Sequence, residues 1–246
     1  MGDPGHFDRH AELYDRARPP YPPSLWERLR QLGLLVPGTR ALDLGAGTGQ
    51  ATGALLDAGL TVTAIEPGAR LAALLAARFP AVTLLNTTAE NAPLAANSFE
   101  LAVAATSVHW MDLGVVLPSL HAALVPGGHF VVWRNAFGDP RVSTPFRDRI
   151  AAIVGGRKEE PRTVPGETET DRWARELSGG GWFQVRETQE FRWSVRLRAD
   201  EVRDLFTTFS DWTPSEAERA AEAVRELGGS VVEHYLTPMI VLRRLS

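Results

Sequence analysis

Residues 40–50 read Arg-Ala-Leu-Asp-Leu-Gly-Ala-Gly-Thr-Gly-Gln, and few chain geometries accommodate that order. Ala41, Leu42 and Leu44 form the short apolar run of a buried strand. Glycines follow at alternate positions, Gly45, Gly47 and Gly49, and an apolar helical pattern begins at once. A strand that turns sharply into a helix through glycines brings bare backbone N–H groups up against a ligand. That is the frame of a doubly wound nucleotide site. Two residues narrow the ligand. A dinucleotide fingerprint places a third glycine where this chain has Gln50. Asp43 stands two residues before the first glycine, where a carboxylate repels a pyrophosphate but suits a ligand with an ammonium group. Both count against a nicotinamide dehydrogenase. An ordinary strand–turn–helix, with glycines chosen only for tightness, would share the spacing.

The next strand separates these readings. Thr48 to Ala58 reads as a helix ended by Gly59, and Leu60–Ile65 as the second strand, with Glu66 at its C-terminal tip, 17 residues after Gly49. Ligands of open α/β sheets sit at such tips near the topological switch point. A carboxylate there can accept both hydroxyls of a ribose; a solvated charge is the simpler reading of a lone Glu. Pro67-Gly68 then turns into the apolar helix Ala69–Phe79. Val82–Leu85 and Phe99–Ala105 are the third and fourth strands, Leu113 to Leu124 is helical, and a Pro126-Gly127-Gly128 turn leads into a fifth strand ending at Trp133. This order implies parallel pairing with right-handed crossovers.

The flanks are less regular. Prolines 19, 20, 22 and 23 forbid a continuous helix in the N-terminal segment. Ser24-Leu-Trp-Glu27 reads as a capping box opening a helix over about 24–33. Residues 136–181 are polar and rich in Pro and Gly, with helices predicted near 144–153 and 170–177, a solvated loop at Lys158–Arg162, and a turn or hinge at Gly179–Gly181. Phe183 and Val185 begin a strand, and the alternation of Phe191, Trp193, Val195 and Leu197 gives a strand with one buried face. Asp200–Phe209 looks helical. Thr213-Pro-Ser-Glu216 is a second capping box with proline at the first helical position. That helix ends near Gly228-Gly229, and Val231–Leu242 is the last strand.

At 246 residues, 44% hydrophobic and 23% charged, the chain can bury a substantial core. A net charge of −4 argues against a general nucleic-acid binder. The absence of cysteine removes disulfides, thiolate metal sites and a cysteine nucleophile. Six histidines without ligand spacing predict no metal site, the His6/His10 pair being accidental. No apolar signal segment opens the sequence and no run approaches a membrane span, so a cytoplasmic location without membrane association is expected.

The glycine stretch, Glu66, the Asn86–Pro93 segment, the His109-Trp110 pair followed by Asp112, and the Leu124-Val-Pro-Gly-Gly128 turn lie in one order and spacing. Together they resemble the motifs of class I S-adenosylmethionine (SAM) dependent methyltransferases. The lead containing Tyr14, Arg18-Pro19 and Tyr21-Pro22 is similar to that of a small-molecule subgroup, the trans-aconitate methyltransferase-like and type 11 enzymes. The resemblance implies a Rossmann-like, doubly wound α/β fold: a seven-stranded, mostly parallel sheet, helices on both faces, the last strand antiparallel. It implies one methyltransferase domain over residues 1–246. Within it, 1–38 form a helical arm or lid, 39–135 the SAM-binding core, 136–181 an acceptor-side insertion, and 182–246 the strands and helices that complete the sheet. The cofactor is SAM and the product S-adenosylhomocysteine.

By the same resemblance the cofactor is held by Tyr14, Arg18, Asp43, Gly45, Ala46, Gly47, Gly49, Glu66, Thr88, Ala89, Glu90 and Thr106. Thr88 departs from the Asp many relatives carry, leaving Glu90 or the Ala89 backbone as the adenine contact. The arm either closes over the cofactor or covers a sheet edge. His109 is the candidate catalytic residue, orienting the acceptor or taking its proton; the competing reading is that it packs with Trp110 to support the loop. Trp110, Trp133, Trp173, Trp182 and Phe137 either line an acceptor pocket or are core. The expected reaction moves a methyl group to an oxygen, nitrogen or carbon nucleophile of a small molecule, such as a carboxylate or a natural product. The alternative is a SAM-binding sensor or scaffold that transfers nothing.

Overall fold

A computed structural model describes residues 5–155 and 168–246, so the Lys158–Arg162 loop lies outside the described residues. In chain order the elements are α1 (Gly5–Arg9), α2 (Ala11–Ala17), α3 (Pro23–Gln31), β1 (Arg40–Leu44), α4 (Gln50–Asp57), β2 (Thr61–Ile65), α5 (Ala69–Arg78), β3 (Thr83–Leu85), β4 (Phe99–Ala105), α6 (Leu113–Ala123), β5 (Leu124–Trp133), β6 (Ala136–Phe137), α7 (Pro145–Val154), α8 (Glu169–Ser178), β7 (Phe183–Arg198), α9 (Ala199–Thr207), α10 (Pro214–Glu226) and β8 (Ser230–Arg244). Single turns of 3-10 helix stand at Ala89–Asn91 and Val108–Trp110.

The described residues fall into two compact units. The larger takes those within 20–135, 167–191 and 237–246; the smaller takes those within 1–19, 136–166 and 192–236. In the larger unit the strands lie in the order β3-β2-β1-β4-β5-β8. All neighbouring pairs from β3 to β5 are parallel, and β8 runs antiparallel to β5 from His129↔Arg243 to Trp133↔Met239. The doubly wound, mostly parallel α/β sheet expected from the sequence is therefore present. Among the described residues the sheet counts eight strands, β7 pairing with β8 and the two-residue β6 adding to the first part of β8.

The parallel strands are apolar on both faces, as strands covered by helices on both sides must be. Leu42, Leu44, Ala102, Ala104, Phe130 and Val132 enter one core cluster. Their alternating neighbours Ala41, Leu101, Val103, Val131 and Trp133 enter another, which takes Leu25 and Leu29 from α3 and Leu55 from α4. The smaller unit has its own core, built by Phe146 and Ile150 of α7, Val202, Leu205 and Phe206 of α9, Ala217, Ala220 and Val224 of α10, and Val231 and Tyr235 of β8.

Two expectations need correction. Ser24 caps nothing: α3 begins at Pro23, its N-cap is Pro22, and no side chain caps it. A proline preset for the first helical position starts the helix early and carries Ser24 into its first turn. The alternating pattern from Phe191 is not a separate strand from the one that begins at Phe183, since both belong to the single 16-residue β7. The Thr213–Glu216 capping box is present, with both reciprocal bonds formed.

Candidate active site

The parallel strands of the larger unit end level with one another. Leu44 pairs with Ile65, Ile65 with Leu85, and Ala105 with Trp133. Just beyond these ends lie Gly45–Gly49, Glu66, Thr88–Glu90, and Thr106–His109. The strand order reverses between β1 and β4, so the glycine loop sits at the topological switch point.

The loop needs its glycines. Gly45, Gly47 and Gly49 have φ of 68°, 59° and 90°, a left-handed backbone that side chains disfavour. At Gly45 a Cβ would stand 2.6 Å from Cβ of Ser107, whose hydroxyl donates to the Leu44 carbonyl. The first turn after β4 therefore closes directly onto the loop. The amide of Gly47 donates to Oε2 of Glu66 at 2.8 Å, and that of Gly68 donates to Oε1 at 2.8 Å. Asn86 fixes the Glu66 backbone by donating to its carbonyl at 2.7 Å. Glu66 is only 5% exposed and its carboxylate ties the glycine loop to the turn after β2, so it is not a solvated surface charge.

Asp43 is fully buried on β1. Thr52 of α4 donates to its Oδ2 at 2.6 Å, while Oδ1 has no hydrogen-bond partner. Burial pushes this carboxyl up to about 7; the Thr52 bond pulls it down and the nearby Glu66 charge raises it further. The hydroxyl of Thr48 in the loop is likewise buried and unpartnered. Burial and the neighbouring Glu66 carboxylate both hold Asp43 back from ionising.

At the β4 tip, Thr106 has φ of 63°, a rare state for a β-branched residue, and such strain clusters at functional sites. Its amide donates to the Trp133 carbonyl at 2.7 Å, and its hydroxyl shares a 3.1 Å hydrogen bond with Tyr21. His109 is exposed on the turn that follows, with its ring 4.9 Å from that of Trp110 and stacked at 6.2 Å on Trp173 of α8. Arg134 covers the Trp173 ring at 5.3 Å and pairs with Glu169. Ala89 is buried, and Glu90 accepts from the Asp112 amide at 2.9 Å, so its carboxylate braces the loop that follows His109. Thr88 accepts from the Asn91 side chain at 3.1 Å.

Asp43, Gly45, Ala46, Gly47, Gly49, Glu66, Thr88, Ala89, Glu90, Thr106 and His109 thus share one unit and one end of its sheet. Tyr14 and Arg18 belong to the smaller unit. There Arg18 donates to the Thr208 hydroxyl and carbonyl, both at 2.9 Å, and lies over the rings of Tyr14 and Phe209 at 5.0 and 4.6 Å. Sequence reasoning missed Thr52 and Ser107, which orient the loop through contacts nine and sixty-three positions apart. Tyr21 entered only as part of the N-terminal lead. No local pattern marks such partners.

Residues 42–132 match a family model described as Methyltransferase domain. An uncharacterized methyltransferase of Mycobacterium tuberculosis (strain H37Rv) is 39% identical over 130 residues, 52% of each chain, so the chain spans about half the length of that curated relative. An uncharacterized methyltransferase-like protein of Schizosaccharomyces pombe is 27% identical over 207 residues, covering 83% of this chain and 77% of its own. Among solved structures, a protein assigned as a type II methyltransferase from Anaeromyxobacter dehalogenans superposes with a TM-score of 0.68 at 25% identity, over 91% of this chain and 97% of that one. A geranyl diphosphate C-methyltransferase from Streptomyces coelicolor, solved with geranyl diphosphate, Mg2+ and S-adenosylhomocysteine, shares the fold at a TM-score of 0.52 and 15% identity, over 90% of this chain and 79% of that one. The level strand tips and the glycine loop agree with these likenesses, and residues 42–132 match the methyltransferase-domain family model.

Proposed function

We propose that this chain transfers the methyl group of SAM to a small-molecule acceptor bound beside His109. The observation that carries the reading is Asp43, whose buried, unpartnered oxygen lies at the base of the glycine loop. The ammonium of a methionyl group supplies the partner that oxygen lacks. It also draws the carboxyl down from about 7 towards its ordinary range, so cofactor binding near neutral pH releases protons. The residues present fit the cofactor in this respect and in the narrow, left-handed loop at Gly45, Gly47 and Gly49.

When bound, SAM supplies an activated methyl group on a sulfonium. The chain's own work is then to hold both partners with their reacting atoms in contact and to keep water away. Asp43 receives the ammonium and Glu66 the ribose hydroxyls. The Thr88–Glu90 turn borders the adenine, with the Ala89 backbone as the contact, since the Glu90 carboxylate holds the Asp112 amide. Thr106 and His109 face the acceptor. His109, stacked on Trp173 and open to solvent, takes the acceptor's proton or orients it. That structural neighbours act on small molecules, geranyl diphosphate among them, supports a small-molecule acceptor here.

The test is calorimetric titration with SAM, S-adenosylhomocysteine and NAD, followed by mass spectrometry of extract metabolites incubated with isotope-labelled SAM. SAM and its product should bind, NAD should not, and a labelled metabolite should appear. With that acceptor, His109→Ala should lower turnover by roughly 10²–10⁴-fold while SAM affinity stays put, as for loss of a general base. Tight SAM binding with no labelled product would leave a cofactor-binding protein and overturn the transferase reading.

A further inference from the structure

The smaller unit buries a polar set that methyl transfer, as proposed, leaves unused. β8 turns Val231, Glu233 and Tyr235 to its buried side. Glu233 and Tyr235 are 1% and 2% exposed. Glu233 Oε1 accepts from the His234 amide at 3.2 Å, but Oε2 is buried without a hydrogen-bond partner, as are the Tyr235 hydroxyl and Nη1 of Arg147. Arg147 reaches in from α7 to place Nη1 3.8 Å from Oε1 of Glu233, close enough for an ion pair and too far for a hydrogen bond. Its guanidinium lies 4.9 Å from the centre of the Phe137 ring. Gly138 makes room for it: with φ of +84°, a Cβ there would stand 2.2 Å from the guanidinium carbon. The Tyr235 ring stacks on Trp193 at 4.7 Å and meets Phe137 edge-on at 5.7 Å.

Buried polar atoms are nearly always hydrogen-bonded, so three that lack a hydrogen bond, two of them on one ion pair and the third two residues along the same buried face of β8, mark a place where a ligand completes the bonding. The inventory dictates its chemistry. Arg147 and Tyr235 offer donors; Glu233 Oε2 offers an acceptor. An alcohol hydroxyl carries one donor and two acceptor lone pairs, matching all three. A carboxylate has acceptors only and confronts Glu233; an ammonium has donors only and confronts Arg147 and Tyr235. The Glu233–Arg147 pair is neutral in sum, which also favours a neutral group. The half-buried rings of Phe137 and Trp193 suit an apolar body attached to it. We infer that the smaller unit holds a recognition site for the hydroxyl of a small molecule with an apolar, ring-sized body, Glu233 accepting from that hydroxyl and Arg147 and Tyr235 donating to it. The site does not depend on methyl transfer and stands or falls separately from it.

The probes are phenol, its methyl ether anisole, and benzoate, titrated calorimetrically into the full chain at pH 7 in two buffers of different ionisation enthalpy. Burial pushes Glu233 up to about 7 against the pull of Arg147, so its proton is in play there. Tyr235, pushed far upward by burial, and Arg18 also act on this set. A hydroxyl donating to Glu233 favours its ionised form and releases protons on binding; a carboxylate favours the protonated form and takes protons up. Phenol should bind about tenfold or more tighter than anisole, with proton release. Tyr235→Phe should weaken phenol roughly fivefold, and Glu233→Gln should abolish the proton release. Equal binding of phenol and anisole, tighter benzoate with proton uptake, or no phenol binding would each overturn the proposal. So would a phenol-soaked crystal showing an ordered water only.

Discussion

Asp43 in the larger unit and Glu233 in the smaller are both buried carboxyls pushed up to about 7, yet they stand in opposite electrostatic company. Asp43 has a second carboxylate, Glu66, within electrostatic reach and one hydroxyl, Thr52, bonded to it. Glu233 has Arg147 at 3.8 Å. Burial alone makes either group reluctant to ionise. What differs is the partner each still needs: the acidic surroundings of Asp43 call for a cation, whereas the neutral pair at Glu233 calls for a neutral hydrogen-bonding group. Equal titration does not mean equal chemistry, and the neighbours decide.

The comparison can be broken first at the glycine loop. Gly47→Val forces a β-branched residue into φ of 59° and displaces the amide that donates to Glu66. SAM affinity should fall by about 100-fold or more, beyond the roughly 1–2 kcal/mol of backbone strain, because the side chain also fills ligand space. Calorimetry measures it, with circular dichroism to confirm folding. A folded variant with unchanged affinity would reduce the loop to a tight turn. Glu66→Ala is the next largest change. It strips the acceptor from the Gly47 and Gly68 amides, so stability should drop by about 1–3 kcal/mol and SAM affinity by roughly 10–100-fold. Glu66→Gln should fall between, since its amide keeps one acceptor but turns a donor towards one of the two N–H groups. Identical SAM affinity in all three proteins would remove Glu66 from the site.

Proton linkage sharpens the contrast between the two carboxyls. Each folded-state pKa is raised, from 3.8 for Asp43 and 4.5 for Glu233 to about 7, so the folded protein holds protons that the unfolded chain has released. Stability contributed at these sites is greatest below pH 4, falls as pH rises through the window from about 4 to 7, and levels off above it. Asp43→Asn and Glu233→Gln should each remove that loss, leaving the variant more stable than the parent at pH 8 by on the order of 1–3 kcal/mol, and less so at pH 5. Saturating SAM should shrink the difference for Asp43→Asn, because an ammonium bound to the parent lowers the Asp43 pKa. It should leave the difference for Glu233→Gln in place. Urea denaturation at both pH values, with and without SAM, reads all of this; a SAM-independent Asp43 effect would deny it the ammonium.

The sequence disclosed the larger unit far better than the smaller, for a physical reason. Parallel strands buried on both faces are short apolar runs, and the residues just past their ends meet at one place by topology alone. Asp43, Gly45–Gly49, Glu66, Thr88–Glu90 and Thr106–His109 could therefore be grouped without knowing a single side-chain contact. The second layer was not legible: Thr52 beneath Asp43, Ser107 beneath Gly45, Tyr21 on Thr106 and Trp173 under His109 depend on packing between remote segments. In the smaller unit the ion pair and the part-buried arginine contacts are of that kind. Arg147 and Glu233 are 86 positions apart, Arg18 and Thr208 190 apart, and periodicity records only that Val231 and Tyr235 face inward.

Helix starts give the finest test of the same difference. Two stretches read as capping boxes in the sequence, Ser24–Glu27 at α3 and Thr213–Glu216 before α10. Only the second forms one: Glu216 Oε2 accepts from the Thr213 amide at 2.8 Å, and the Thr213 hydroxyl accepts from the Glu216 amide at 3.3 Å. The proline explains why. In α10 it follows the cap residue, at the first helical position; before α3 it precedes Ser24, so the helix has already begun when the serine arrives. Thr213→Ala should therefore cost about 1 kcal/mol, whereas Ser24→Ala should change stability by no more than about 0.5 kcal/mol, with alanine's higher helix propensity tending to raise it. Urea midpoints followed by circular dichroism resolve a difference of that size. A loss at Ser24 as large as at Thr213 would mean that α3 starts at the serine after all, and that the order of proline and hydroxyl does not choose the cap.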